Sequence, residues 1–358
     1  MKSADCKTRH LVVDPVQPDA SLIQQAGAVL REGGLVAFPT ETVYGLGANA
    51  LDARAVAGIY LAKGRPADNP LIVHIESHRV LTRYIDELPP VVSLLAARFW
   101  PGPLTMVLRG GRSFPPEVTA GLDTVAFRVP AHPVALALIR AAGVPVAAPS
   151  ANASGRPSPT TAAHVLDDLS GKIALVLDGG PSGLGVESTV LDLSGDQPVI
   201  LRPGGAIQRD LEQVLGPVEL DPSVNGVAVA GDRPRSPGMK YTHYAPRAPL
   251  LLFEGRDHER VAASVLADAR RLSAGGTKVG ILAYSETAPL YDGQGYSVVV
   301  PGKRSEPGTV AALLYESLRR FDQLGVDVIL AEGIIPDGLG LAVMNRLRRA
   351  SGGHVITV

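Results

Sequence analysis

The segment Lys63-Gly64-Arg65-Pro66 runs through Asn69-Pro70 into the apolar stretch Leu71 to His74, placing two cations two residues apart between a helix-like pattern and a buried-strand pattern. Cations reaching from that junction into one cleft suit an anionic ligand, although the same residue types at a helix C-terminus also complement its dipole and its free carbonyls. Arg128 lies inside the apolar strand pattern TVAFRVP (124–130). A guanidinium buried there needs an internal carboxylate or a ligand carboxylate as its partner, and the ligand is the preferred reading.

Three other groups, the last of them made of two segments, place polar residues at strand ends. PTETVYGLG (39–47) directly follows an apolar run, so the Thr42 hydroxyl could donate to a ligand or simply cap a turn. VAAPSAN (146–152) runs into Ser150 and Asn152 and then Ser158, with backbone capping and phosphate binding both open to them. GVEST (185–189) sets Ser188 before one strand, and LRPGG (201–205) sets Arg202 after the next. Carboxyl ends of strands are the usual ligand edge of open α/β sheets. Five such clusters, carrying Lys63, Arg65, Arg128 and Arg202, point to one shared anion-binding cleft. Familiar catalytic signatures are missing: there is no G-x-x-x-x-G-K-[ST] loop, no H-E-x-x-H and no G-x-S-x-G elbow.

These residues must be positioned by a chain of 358 residues, long enough for two domains that each bury a core. With 34 Lys and Arg against 35 Asp and Glu, the net charge is −1, which disfavours a general nucleic-acid coat or a polybasic membrane binder and makes any anion site local. The single cysteine, Cys6, rules out an intrachain disulfide framework and a cysteine-based zinc site, so a reducing cytoplasm is the expected location. The charged start MKSADCKTRH does not resemble a secretory signal, and no run of about 18 apolar residues follows.

Periodicity predicts a mixed α/β domain over 11–215, after a tail of residues 1–10. Its strands are expected at 35–38, 71–75, 104–108, 125–129, 144–148, 174–177, 189–193 and 199–201, and its helices at 21–32, 53–62, 91–99, 134–141 and 161–169. A Pro- and Gly-rich linker is expected over 216–248, and its second half, SPGMKYTHYAP, gathers Lys240, Tyr241, His243 and Tyr244. From 249 to 358, strand and helix patterns alternate as in a smaller parallel-sheet domain of Rossmann type. It lacks the G-x-G-x-x-G turn that a dinucleotide site needs.

Taken in order, PTETVYGLG, KGRPADNPL, FWPGPLT, the Arg128 strand, PSANASG, ESTVLDL, LRPG, SPGMKYTHYAP and GLGLAVMNRLRRA resemble the YrdC-like family, in particular its two-domain members, the threonylcarbamoyl-AMP synthases. The resemblance implies a twisted mixed sheet with a large cleft, followed by a Rossmann-like α/β/α domain. It also implies condensation of L-threonine, bicarbonate and ATP, with Mg2+, into threonylcarbamoyl-AMP and pyrophosphate. A separate transferase complex would then pass the threonylcarbamoyl group to the adenosine beside the anticodon of tRNAs that read codons beginning with A. By the same resemblance, Thr42, His74, Arg128, the backbone at Ala148 and Ser188 hold L-threonine. Arg65, Asn69, Thr124, Ser150, Ser158, Arg202 and His243 hold the nucleotide, with Lys63 and Asn152 at the triphosphate and Lys63 and Arg65 as the catalytic cations. The linker around His243 and Tyr244 would be a lid. No zinc, nicotinamide, flavin or stable nucleic-acid partner is expected. The competing reading is a YrdC-like RNA-binding module without chemistry, which near-neutral charge and the embedded Arg128 disfavour.

Overall fold

The structure is a computed structural model that describes residues 7–225, 235 and 243–358. Eleven strands form the first sheet, in the order Arg9–Val12, Leu175–Asp178, Val36–Phe38, Gly45–Asn49, Val146–Ala147, Ile72–His74, Thr124–Arg128, Leu104–Arg109, Thr189–Asp192, Val199–Arg202, Glu219–Leu220. Pairing is mixed: Ile72–His74 runs parallel to Thr124–Arg128 and antiparallel to Val146–Ala147.

The period-2 alternation of side chains divides this sheet into two faces. Leu71, Val73, Val125, Phe127 and Ala147 pack into the main core, beneath the helices Ala53–Lys63, Pro90–Phe99, Ala162–Leu169 and Gln208–Leu215. Part of the opposite face is covered by Ala20–Arg31 and Pro133–Ala142, which pack on each other through Ile23, Leu30, Leu138 and Ile139. The remainder of that face, with Ile72, His74 and Arg128, is the floor of a cleft.

The helix Ala53–Lys63 follows from local chemistry. The Asp52 carboxylate accepts from the N–H groups of Arg54 and Ala55, and Gly64, left-handed at φ 63°, ends the helix so that Arg65 turns toward the cleft.

Four strands lie outside the sequence expectation. Gly45–Asn49 has the glycine content of a turn. The bare Gly47 lets Val146 and Phe38 approach, since a Cβ there would lie 2.8 Å from Val146 Cγ1 and 3.0 Å from Phe38 Cε1. Arg9–Val12 pairs with Leu175–Asp178, which moves the end of the supposed tail into the sheet. Glu219–Leu220 pairs with Val199–Arg202, so the first sheet reaches into the stretch expected to be linker. Val355–Thr357 adds an edge to the second sheet. Most of the remaining linker, residues 226–234 and 236–242, lies outside the described residues, as do residues 1–6 with Cys6.

The second sheet is entirely parallel, in the order Ser297–Val299, Val279–Leu282, Val328–Glu332, Leu250–Glu254, Val355–Thr357. His258–Ala274 covers one face through Val261, Val265 and Ala269. Pro307–Leu324 and Leu339–Ala350 cover the other, and their core takes in Val43, Val186 and Tyr244 as well. Two helices of the second domain therefore share a hydrophobic core with the loops that border the cleft. No helix of the described residues is long and apolar enough to cross a membrane.

Candidate active site

A cavity of about 710 Å³, partly open to solvent, lies over the free face of the first sheet. Thr42, Lys63, Arg65, His74, Arg128, Ala148, Ser150, Asn152, Ser188, Arg202 and His243 line it. Segments far apart in sequence meet here because His74 and Arg128 are register partners on adjacent parallel strands, while Gly45 bridges to Ser150. The site is a sheet face rather than a carboxyl edge. In a sheet of mixed polarity the carboxyl ends of the strands are divided between its two edges, so no one edge gathers all the loops.

Three candidates stand away from the cavity wall. Ser158 is fully buried and donates to Glu187 Oε1 at 2.6 Å. The Asn69 carbonyl accepts from Tyr60 Oη at 3.2 Å, and its Oδ1 has no hydrogen-bond partner among the described residues. Thr124 opens the strand that Arg128 closes, about 13 Å back along it at ~3.3 Å per residue.

Arg128 has an internal carboxylate partner, against the preference for a ligand alone. Its Nη2 lies 2.7 Å from Glu41 Oε1, Nη1 donates to Thr42 Oγ1 at 3.0 Å and Nε donates to the Gly102 carbonyl at 3.3 Å. The Glu41 contact is close but not aligned as a hydrogen bond, and both Glu41 oxygens are otherwise without hydrogen-bond partners among the described residues. Lys63 also differs from a simple phosphate-facing cation. Its ammonium donates to the carbonyls of Ser150 and Asn152, so it fixes the Pro-Ser-Ala-Asn turn. Arg202 donates to the Ser188 carbonyl from Nη2 at 3.0 Å and to its hydroxyl at 3.2 Å, while the hydroxyls of Thr105 and Ser188 are 2.8 Å apart.

Burial sets the protonation of this site. It pushes the Lys63 amine well below its ordinary range, with Arg65 adding to the effect. Burial and then Arg128 lower His74 to about 3, and burial followed by Arg65, Arg349 and Lys63 does the same to His243. Both imidazoles are neutral at pH 7. Burial works against ionisation of Glu187, but Arg346, Arg202 and the hydrogen bonds from Ser158 and Arg346 outweigh it and hold the carboxyl at about 2. The pocket thus gathers guanidinium groups and neutral polar groups, a surface for anions.

Among the other residues that line the pocket, Glu187 and Tyr244 carry polar groups that tie the wall to the second domain. Glu187, buried in the wall, lies within GVEST (185–189), but its ion-pair partner Arg346 is 159 residues away, so no local spacing marks it. Tyr244 lies in the stretch expected to be a lid. Its φ of 66° is unusual for a tyrosine and lays the ring 5.3 Å from that of Tyr315, with Arg346 5.4 Å from its centroid.

Two family models cover almost the whole chain: one described as telomere recombination (Sua5, YciO and YrdC) over 28–204, and one described as the C-terminal domain of threonylcarbamoyl-AMP synthase over 207–352. Over 346 residues the sequence is 51% identical to the threonylcarbamoyl-AMP synthase of Bacillus subtilis, covering 96% of this chain and 97% of that one. The chain belongs to the Sua5/YrdC-like family. The Schizosaccharomyces pombe threonylcarbamoyl-AMP synthase is 42% identical, with 94% and 90% of the two chains covered. The family fold extends over both domains: the crystal structure of Pyrococcus abyssi Sua5 complexed with L-threonine matches with a TM-score of 0.91 at 48% identity, covering 98% of this chain and 100% of that one.

Proposed function

We infer that this chain is a threonylcarbamoyl-AMP synthase, an enzyme that condenses L-threonine, bicarbonate and ATP into threonylcarbamoyl-AMP and pyrophosphate. The observation that carries the reading is the single cavity into which eleven of the residues singled out from the sequence converge, in a chain alike over its full length to enzymes of that name. In this reading Thr42, His74, Arg128, the Ala148 backbone and Ser188 hold L-threonine, with the Arg128 fork on its carboxylate. Arg65, Ser150, Asn152, Arg202 and His243 hold ATP, supported from behind by Ser158 and Asn69. Thr124 would reach the nucleotide only from the far end of its strand.

The chemistry needs no nucleophile from the protein. The threonine amine and bicarbonate form a carbamate with loss of water. A carbamate oxygen then attacks the α-phosphorus of ATP, and pyrophosphate leaves. Positioning and charge neutralisation provide most of the acceleration in substitution at phosphorus. Arg65 and Arg202 supply the neutralisation, while Lys63 holds the turn that presents Ser150 and Asn152. Mg2+ enters with the ATP as part of the substrate. Arriving with the phosphates, it would offset their charge alongside Arg65 and Arg202 and would call for few protein ligands of its own. Neutral His74 beside Arg128 can accept or donate a hydrogen bond without adding a charge against the substrate ammonium. A cytoplasmic location and a downstream transferase acting on tRNA complete the reading.

The test is pyrophosphate release from ATP and Mg2+, with L-threonine and bicarbonate omitted in turn. Release should require both. Release that ignores either one would refute the assignment, and salt-sensitive tRNA binding without ATP consumption would favour the RNA-binding module instead.

A further inference from the structure

The second domain reaches the back of the cavity wall through three side chains on one face of the helix Pro307–Leu324: Tyr315, Arg319 and Asp322, spaced i, i+4 and i+7. Each grips a successive residue of the loop that follows the Pro-Ser-Ala-Asn turn, or that residue's partner. Asp322 Oδ2 accepts from Arg156 Nη2 at 3.1 Å. Arg319 Nη2 donates to the Pro157 carbonyl at 2.6 Å and to Asp168 Oδ2 at 2.8 Å, and the same Oδ2 accepts from the Ala153 N–H at 3.1 Å. Tyr315 Oη lies 2.9 and 3.0 Å from the two oxygens of Glu187, the carboxylate that also receives Ser158 Oγ. From the next helix, Arg346 donates to Glu187 Oε2 at 2.7 Å and to the Pro203 carbonyl, beside Arg202, at 2.9 Å.

Tyr315, Arg319 and Arg346 are all buried. The approach of the helix is itself built in. Gly185, at φ 75°, has no Cβ, and one there would sit 2.4 Å from Ala311 O and Ala312 Cα. Glue between domains requires none of this, because buried ion pairs add little net stability over apolar packing. What such pairs do supply is a fixed direction for the groups they hold.

We propose that Tyr315, Arg319 and Arg346 are positioning residues, through which the second domain serves as a rigid backing, by way of Arg156, Pro157, Ser158 and Glu187, for the nucleotide wall at Asn152, Ser154, Gly155 and Arg202. The proposal rests on the assignment of that wall to ATP. Because acceleration here comes from placing phosphate against nucleophile, slackening the backing raises the ATP requirement more than the threonine requirement: of the groups assigned to threonine, Ser188 adjoins Glu187 and Arg202, while His74 and Arg128 stand on the sheet floor.

The experiment compares the full-length wild type with Tyr315→Phe, Arg319→Lys and Ser158→Ala. It measures KM for ATP and for L-threonine by pyrophosphate release, and Kd for Mg2+-ATP alone by calorimetry. Tyr315→Phe should raise both KM and Kd for ATP about tenfold, as for one lost hydrogen bond to a charged group, with KM for threonine within about twofold. In the Ser158→Ala background it should add less than about twofold, because the two hydroxyls act through one carboxylate. Equal changes for both substrates, a lower melting temperature with unchanged constants, or full additivity with Ser158→Ala would each overturn the proposal. If Arg319→Lys does not fold, Tyr315→Phe, which removes a single oxygen, still decides. A wild type that binds ATP without releasing pyrophosphate would sink the synthase assignment, while the ATP Kd comparison would still judge the backing. A wild type that does not bind ATP overturns both.

Discussion

Replacing Arg128 by alanine separates what the guanidinium does for the fold from what it does for the ligand. In the protein it contacts Glu41, Thr42 and Gly102, and the Glu41 carboxylate accepts no hydrogen bond and makes no other ion pair among the described residues. Arg128→Ala leaves that carboxylate buried and unpaired, which costs roughly 3 to 5 kcal/mol for a fully buried pair. Glu41 keeps about a fifth of its side chain exposed, so the lower end, about 3 kcal/mol, is expected. Loss of a charge-assisted bond to the threonine carboxylate is worth ~1.5 to 3 kcal/mol, or about 10- to 150-fold in Kd. Affinity for ATP, on the other wall, should change by less than about threefold. The double variant Arg128→Ala, Glu41→Gln removes the stranded charge and should recover most of the lost stability but none of the threonine affinity. Calorimetric titration with each ligand and thermal unfolding of the three proteins measure all of this. Equal loss of both ligands, or recovery of threonine binding in the double variant, would refute the assignment of Arg128 as the carboxylate clamp.

Acid should destabilise the protein well before its carboxylates are protonated. His74 and His243 titrate at about 3 in the folded chain and near 6.5 when unfolded, so their contribution to stability is complete above about pH 6.5 and falls below it as the unfolded state takes up protons the folded state refuses. The slope is at most ~1.4 kcal/mol per pH unit for each histidine. Glu187, held at about 2, loses its contribution only below about pH 4.5 and does not confuse the window from pH 5 to 7.5. A melting temperature that is flat across that window, or a slope unchanged by His243→Asn, contradicts this account. Gly185→Ala should lower stability by at least ~2 kcal/mol, through both its positive φ and the collision with Ala311 and Ala312, and raise KM for ATP. An unchanged melting temperature would mean that the helix contact is softer than its geometry implies.

The chemistry of the cleft was legible in the residues because it is local. Apolar β-branched runs predict the strands around His74 and Arg128, the Asp52 to Gly64 caps bound a helix, and an arginine inside an apolar strand demands a counter-charge whatever the fold. Which counter-charge was not legible. Glu41 reaches Arg128 across 87 positions only because the loop after Val36–Phe38 folds over the strand Thr124–Arg128. Gly45–Asn49 likewise looks like a turn until Phe38 and Val146 are seen pressed against its glycines.

The sequence by itself determined the two-domain α/β organisation, the kinds of side chain that line the cavity and, through motifs in order, the family. Residue type and short-range periodicity suffice for these. Tertiary structure alone decided that the site is an open sheet face instead of a carboxyl edge, that Lys63 braces a turn, and that helices beyond residue 300 support the wall behind Ser158. Those outcomes depend on sheet order and on how close two domains approach, and contacts such as Glu187 with Arg346 leave no periodic trace along the chain.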